Sequence, residues 1–241
     1  VAASYFISDL HLAPERAQST ETLLKFAGEI APRAEQLFIL GDLFEYWIGD
    51  ELLDQPMPAK VAAALHALSD TGTAVYFMHG NRDFLVGKQF AQAAGLRLLA
   101  DPYTVTLYGT PTLLMHGDTL CTDDTEYLKF RAMVRDPAWQ KDFLAKPISE
   151  RIEIAQSARA ESEHAKKDKS MSIMDVSADA VASALREHGY PRLIHGHTHR
   201  PATHHPVVDG KQCERIVLAD WYGHGSYLEC DSDGCRTVHI D

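Results

Sequence analysis

The sequence predicts an α/β protein with a helical segment inserted into it. Three observations lead there. Five short apolar runs each stop abruptly at Asp, Asn or His. Amphipathic helical patterns separate the first three of these runs. Residues 122–176 then break the alternation with a helix-like pattern and a charge balance of their own.

The runs come in order. Tyr5-Phe6-Ile7 leads into Asp9 and His11, and Leu37-Phe38-Ile39-Leu40 into Gly41-Asp42. Ala74-Val75-Tyr76-Phe77-Met78 leads into Gly80-Asn81-Arg82-Asp83, and Thr112-Leu113-Leu114-Met115 into His116-Gly117-Asp118. Leu193-Ile194 leads into His195-Gly196-His197-Thr198-His199. Short apolar runs bounded by turn signals read as buried strands. Between them, Thr20 to Ala31 places Leu23, Leu24, Ala27 and Ile30 on one helical face, and Ala59 to Leu68 does the same with Val61, Ala64, Leu65 and Leu68. Strand–helix alternation argues for a sheet with helices on its faces. Tyr103 to Met115 has no helical period and holds Tyr108-Gly109, so a strand pair is expected there. Beyond His199, Asp209-Gly210 and Asp233-Gly234 are hairpin signals between β-rich runs, which predicts a closing β-meander.

The segment 122–176 has its apolar positions at Tyr127, Phe130, Met133, Val134, Trp139, Phe143, Leu144, Ile148, Ile152 and Ile154. It carries 10 Lys/Arg against 11 Asp/Glu, whereas the rest of the chain carries 13 against 23. The expected organisation is a core of residues 1–121 and 177–241 with a helical cap over 122–176. Ser177 is placed to cap the returning helix, which Gly189 would stop. The stripe from Tyr127 to Ile154 reads first as helix-packing core, with part of it open to hold acyl chains.

The chain has 241 residues, 45% hydrophobic and 24% charged, which excludes disordered and fibrous classes. A net charge of −11 argues against a general nucleic-acid binder, and no obligate protein partner is evident. The opening Ser4-Tyr5-Phe6-Ile7-Ser8-Asp9 turns polar too soon for a secretory signal, and no apolar run approaches a bilayer span. Cys121, Cys213, Cys230 and Cys235 lack Cys-x-x-Cys spacing; Cys230 and Cys235 flank a turn, but structural thiols are the expectation. The reading is a soluble cytoplasmic protein that can still touch a membrane surface.

Ligands of open α/β sheets bind at the carboxyl ends of the strands. Here those ends deliver Asp9, His11, Asp42, Asn81, His116, His197 and His199, all oxygen or nitrogen ligands. Any one of them alone is weak evidence, since a lone His is more often a satisfied core or surface group. Their recurrence at successive strand ends is not what packing alone selects. Seven ligands exceed the four that zinc takes and suit two ions sharing a carboxylate. A set without thiolate favours Mn, Fe or Zn. Two such ions clamp an in-line phosphoryl displacement and activate a water.

These motifs resemble the calcineurin-like metallophosphoesterase superfamily. Longer stretches are similar to its family of UDP-2,3-diacylglucosamine diphosphatases of lipid A assembly: Gly41 to Asp50, His116 to Asp124, and Lys169 to Val176. The resemblance implies a four-layer α/β/β/α sandwich. It implies one ion on Asp9, His11, Asp42 and His199, and a second on Asp42, Asn81, His116 and His197, with Mn2+ the expected metal. It also implies catalytic roles for Asp42, Asn81, Arg82 and His197. A lipidated UDP-sugar would meet Asn81, Arg82, Asp124, Ser162, Lys166, Lys169 and His197, and the protein would sit peripherally on the cytoplasmic face of the inner membrane. Asp118 and His195 would orient ligands from behind. Arg82 stands where many superfamily members have His. An Arg cannot protonate a leaving group, because its pKa stays above about 12, so a leaving group that is already a weak base, such as a phosphate, is favoured. Lys166, Lys167 and Lys169 form a basic cluster that is either a solvated face or a contact for anionic headgroups. Two alternatives stay open: another two-metal nucleotide pyrophosphatase or phosphodiesterase of this fold, and a non-catalytic binding module.

Overall fold

The computed structural model describes residues 2–168 and 175–240, with the backbone alone over 161–168. The chain runs β1 (Ser4–Ile7), α1 (Ala17–Lys25), β2 (Gln36–Ile39), α2 (Pro56–Asp70), β3 (Ala74–Met78), α3 (Lys88–Ala93) and β4 (Leu96–Leu99). It continues through β5 (Tyr103–Leu107), β6 (Thr110–Met115), α4 (Thr125–Val134), α5 (Pro137–Leu144), α6 (Ile148–Asp168), α7 (Ala178–Glu187) and β7 (Arg192–His195). It closes with β8 (Ala202–His204), β9 (Val207–Val208), β10 (Lys211–Gln212), β11 (Arg215–Val217), β12 (Ser226–Asp231) and β13 (Gly234–His239).

Two sheets result. One has the order β13-β12-β1-β2-β3-β4, the other β5-β6-β7-β11-β8. In the first, β1 to β4 are parallel and β12 joins β1 antiparallel. In the second, β6, β7 and β11 are parallel. Side chains alternate along each strand, and here both faces are buried. Phe6, Phe38 and Met78 of the first sheet meet Leu107, Leu114, Ile194 and Ile216 of the second. Their neighbours Tyr5, Ile7, Leu37, Ile39, Val75 and Phe77 turn the other way, against Leu23 of α1, Leu65 of α2 and Phe90 of α3. Leu113, Met115 and Leu193 face outward from the second sheet onto Val181 and Leu185 of α7. The layers are therefore helix, sheet, sheet, helix, as expected. Parallel strands buried on both faces read as continuous apolar runs, which is why the sequence displays them so plainly.

The local signals act as their chemistry requires. Tyr108 and Gly109 take φ of 48° and 86° at the β5–β6 turn, and Asp209 and Gly210 take 51° and 76° at β9–β10. Those are the left-handed pairs that tight hairpins need. The Ser177 side chain accepts from Ala180 N at the start of α7.

Three expectations are corrected, and one strand went unanticipated. The first helical pattern begins earlier, at Ala17, and widens into a π-turn over Phe26–Ile30. The C-terminal strands do not form one meander: β8 and β11 extend the second sheet, β12 and β13 the first, and β9–β10 stand apart. β4 escapes the periodicity reading because only Leu96 is fully buried in it. Cys230 and Cys235 face each other in register across the β12–β13 hairpin and form a disulfide, while Cys121 and Cys213 are buried free thiols.

Helices α4, α5 and α6 fall within residues 122–176. Phe143 belongs to the same core as Leu23 and Phe90, and Trp139, Ile152 and Ile154 pack against it. Those residues therefore hold the segment onto the main body and are not free for acyl chains. Phe130, Met133, Leu144 and Ile148 remain exposed. Phe143→Ala should accordingly cost about 3–5 kcal/mol of stability, the usual range for emptying a buried aromatic site, read as a lower denaturant midpoint at unchanged slope. Met133→Ala should leave the midpoint within about 0.5 kcal/mol of the parent.

Candidate dinuclear metal centre

All the expected strand ends open onto one edge of the sandwich. β1, β2 and β3 deliver Asp9, His11, Asp42 and Asn81 from the first sheet. β6 and β7 deliver His116, His197 and His199 from the second. The structure brings six of these residues together in two clusters, Asp9, His11 and His199, and Asp42, His116 and His197, and Asn81 lies against the second.

The geometry within each cluster is that of converging ligand atoms. His199 Nε2 lies 3.3 Å from both Asp9 Oδ1 and His11 Nε2. Asn81 Oδ1 lies 3.0 Å from His116 Nε2 and 3.0 Å from His197 Nδ1. Asp42 joins the two clusters, with Oδ2 3.8 Å from His11 Nε2 and Oδ1 3.8 Å from His116 Nε2. Atoms bound about 2.1 Å from one ion stand about 3.0–3.4 Å apart, so the spacing suits two divalent cations with little movement. Asp9 Oδ1 is buried without a hydrogen bond, an orphan lone pair that a cation would satisfy. The residues fit the ions that the resemblance implies.

Local backbone conformation aims these side chains. Asp9, His11, Asp42, His197 and His199 all have positive φ, between 50° and 68°. Outside glycine this region is sparsely populated, and Asp and His are among the residues that tolerate it. Beyond β1, β2 and β7 the backbone thus reverses sharply at the converging residues themselves. Two glycines make room: a Cβ on Gly80 would stand 2.1 Å from Asp42 Oδ1, and one on Gly196 2.3 Å from Asp9 Oδ2.

Behind the ligands stands a ring of donors and acceptors. Ser8 Oγ and the His197 backbone N–H donate to Asp9 Oδ2 at 2.6 and 2.9 Å. The Arg82 backbone N–H donates to Asp42 Oδ1 at 2.8 Å. His116 donates from Nδ1 to the Leu40 carbonyl at 2.8 Å, which leaves Nε2 facing the site. Burial would raise the Asp9 carboxyl, but His199, His116 and His11 outweigh it and hold it well below the usual range. Burial would depress His116, but Asp42, Asp118 and Asp9 push it up to about 9. Burial, with His116 alongside, lowers His197 to about 4.

The other expected site residues divide. Arg82 is at the site, its guanidinium 3.9 Å from Glu45 Oε1. Asp124 caps α4, accepting from Tyr127 N at 3.1 Å. Ser162 and Lys166 fall on α6 where only the backbone is described, and Lys169 lies outside the described residues. Asp118 does not bond a ligand directly; it accepts from Arg131 Nε at 2.7 Å and from the Tyr127 hydroxyl, and so ties α4 to the strand end that carries His116. His195 is buried between the Gly196 carbonyl and Arg215, which donates to its Nε2; burial lowers it to about 3.

The sequence reading gave no role to Asp83, Glu45, Arg16 or Tyr222, and took Tyr127 as helix packing. The buried Asp83 carboxylate accepts from the backbone N–H of Gly80, Asp42, Leu43 and Phe44, locking the loops after β2 and β3 together. Tyr127 lies beside the His197 ring, with centroids 6.1 Å apart. Tyr222 packs near His11 and His199 with the Arg16 guanidinium 3.9 Å above its ring. The available signal was an acid inside an apolar or turn motif, Leu43-Phe44-Glu45 and Asn81-Arg82-Asp83. Nothing comparable marks Tyr222.

The chain is 51% identical over 232 residues to a UDP-2,3-diacylglucosamine hydrolase of Aromatoleum aromaticum, covering 96% of this chain and 94% of that one. It is 52% identical to one of Xanthomonas axonopodis pv. citri, covering 98% of each. It is 47% identical to one of Edwardsiella ictaluri, covering 99% of this chain and 92% of that one. The calcineurin-like phosphoesterase family matches residues 4–201, which include all seven converging side chains, and the chain belongs to that family.

Proposed function

We propose that the chain hydrolyses the pyrophosphate bond of UDP-2,3-diacylglucosamine, yielding UMP and 2,3-diacylglucosamine 1-phosphate. The observation that carries this reading is the pair of ligand clusters sharing Asp42. The substrate follows from three relatives, named as hydrolases of that compound, at 47–52% identity over nearly the whole chain.

Two bound divalent ions, most simply Mn2+ for a ligand set of His, Asp and Asn, supply water activation and charge neutralisation. Asp9, His11, Asp42 and His199 would hold one, and Asp42, Asn81, His116 and His197 the other. The chain's own residues do the rest. Asn81 and His197 fix the phosphoryl group between the sheets. Arg82 keeps its charge throughout and clamps phosphoryl oxygens as negative charge builds there. Water adds to the uridine-side phosphorus, and the bond to the sugar-phosphate oxygen breaks. That leaving group is a phosphate and needs no proton from Arg82. Asp124, Ser162, Lys166 and Lys169 would contact the glycolipid headgroup. Among the described residues no helix is long and apolar enough to cross a membrane. The exposed Phe130, Met133, Leu144 and Ile148 support peripheral contact with the inner-membrane surface, where such a substrate resides.

UMP release from the lipidated UDP-sugar tests the reading. Chelation should abolish it and Mn2+ restore it; full turnover in excess chelator would sink the two-ion site. Asp42→Asn should cost more than Asn81→Ala, since Asp42 faces both clusters. Arg82→Ala should lose about 10²–10³ in rate, as for one lost oxyanion donor, and Arg82→His should recover little.

Metal loading should also follow pH. His116 is raised to about 9 and must be neutral to ligate. Below that pH the ion has to displace its proton, so apparent Mn2+ affinity should fall about tenfold per pH unit for each proton displaced. Titrations at pH 6, 7 and 8 check the slope.

A further inference from the structure

Glu45 is a carboxylate at the metal edge with no place in either cluster. It is 4% exposed and held by its backbone N–H donating to the Leu12 carbonyl at 3.0 Å. Its two oxygens face different groups. Oε2 lies 3.4 Å from His11 Nδ1 and 4.0 Å from the Arg16 guanidinium. Oε1 lies 3.5 Å from the guanidinium of Arg159 on α6 and 3.9 Å from that of Arg82.

His11 raises a specific problem. Its Nε2 faces Asp42 and Asp9, at 3.8 and 3.9 Å, so that nitrogen is the ligand and Nδ1 must carry the hydrogen. Yet Nδ1 is buried and has no hydrogen bond. A buried N–H left unpaired is costly, and Glu45 Oε2 is close enough for a small side-chain rotation to close the bond. His116, the corresponding ligand of the other cluster, spends its Nδ1 hydrogen on the Leu40 carbonyl. A backbone carbonyl can steady one ring. A carboxylate has a second oxygen to use elsewhere.

We propose that Glu45 is a positioning residue that divides two tasks between its oxygens: Oε2 takes the Nδ1 hydrogen of His11 and points its Nε2 at the ion, while Oε1 gathers Arg82 and Arg159 toward the phosphate. This rests on the two-ion reading above. It explains why an acid stands in a motif otherwise apolar, Leu43-Phe44-Glu45-Tyr46-Trp47. It also links the seating of α6, through Arg159, to the aim of a metal ligand.

The test uses the full chain, stripped of metal and titrated calorimetrically with Mn2+ alone, followed by steady-state kinetics on the lipidated UDP-sugar. Glu45→Ala removes both oxygens. It should weaken Mn2+ binding by about 10–100-fold, as expected for a partner behind a ligand, and raise KM. Glu45→Gln keeps one acceptor for His11 but loses the charge that balances the guanidiniums. It should hold Mn2+ affinity within about threefold of the parent while kcat drops about tenfold, the size of one charge-assisted contact. If Glu45→Ala does not fold, Glu45→Gln alone carries the test through its split between metal affinity and turnover. Parental Mn2+ affinity and KM in Glu45→Ala, with only a lower melting temperature, would overturn the proposal. So would a Glu45→Gln variant that loses metal as severely as Glu45→Ala. A parent protein that takes up no Mn2+ would instead refute the two-ion reading itself.

Discussion

Two carboxylates, Asp9 and Asp42, have to stand beside each other at an edge nearly closed to water, and the surrounding structure answers that demand. Both are 2% exposed or less. Buried charge is tolerated only when paired and hydrogen-bonded. Here the pairing comes from imidazoles on both sheets, and the hydrogen bonds from backbone N–H groups at the strand ends. A third acid, Asp83, lies behind Asp42, and burial together with Asp42 pushes its carboxyl up to about 7. Two strands of one sheet can place two carboxylates together. Three of the four imidazoles, His116, His197 and His199, come from the second sheet, so the site forms at the seam of the sandwich.

Helices α4 to α6 are fastened to this seam. Arg131 and Arg135 on α4 and at its end reach Asp118 and the Gly80 carbonyl, next to His116 and Asn81. Arg151 of α6 donates to the Ile48 carbonyl at 2.6 Å and to Glu51 at 2.9 Å. Each contact lands on a loop that bears or follows one of the converging residues. Apolar packing through Phe143 and Trp139 fixes the position of the segment, and the guanidiniums fix its alignment with the ligand loops.

What could be read from the sequence follows from where side chains carry information. Strands buried on both faces announce themselves as apolar runs, and the residues just past them stand out by contrast, so all seven converging residues were legible. Asp209-Gly210 was legible because only particular residues accept that turn. β4 was not, since half of it is exposed. The sharing of the last strands between two sheets was not, because hairpin signals specify neighbours along the chain and not the sheet that receives them. Glu45 and Asp83 lay in view inside recognised motifs. Their roles depend on groups from distant segments: Arg16 and Arg159 for Glu45, and the loop after β2 for Asp83. The Cys230–Cys235 bond likewise depends on cross-strand register, which spacing alone does not settle.

The left-handed backbone at five of the converging residues bears on how such a site can be dissected. Asparagine accepts that conformation readily, whereas alanine pays about 1 kcal/mol or more for it. An alanine scan across Asp9, His11, Asp42, His197 and His199 would therefore report a sum: a lost ligand plus a turn that no longer wants to reverse. Asparagine substitutions would leave the turn intact, and at Asp9 and Asp42, where an amide oxygen would still face the site, they would report the loss of the charge alone. The same constraint narrows what drift can try at these sites, because a β-branched residue is refused by the main chain before any loss of chemistry is tested.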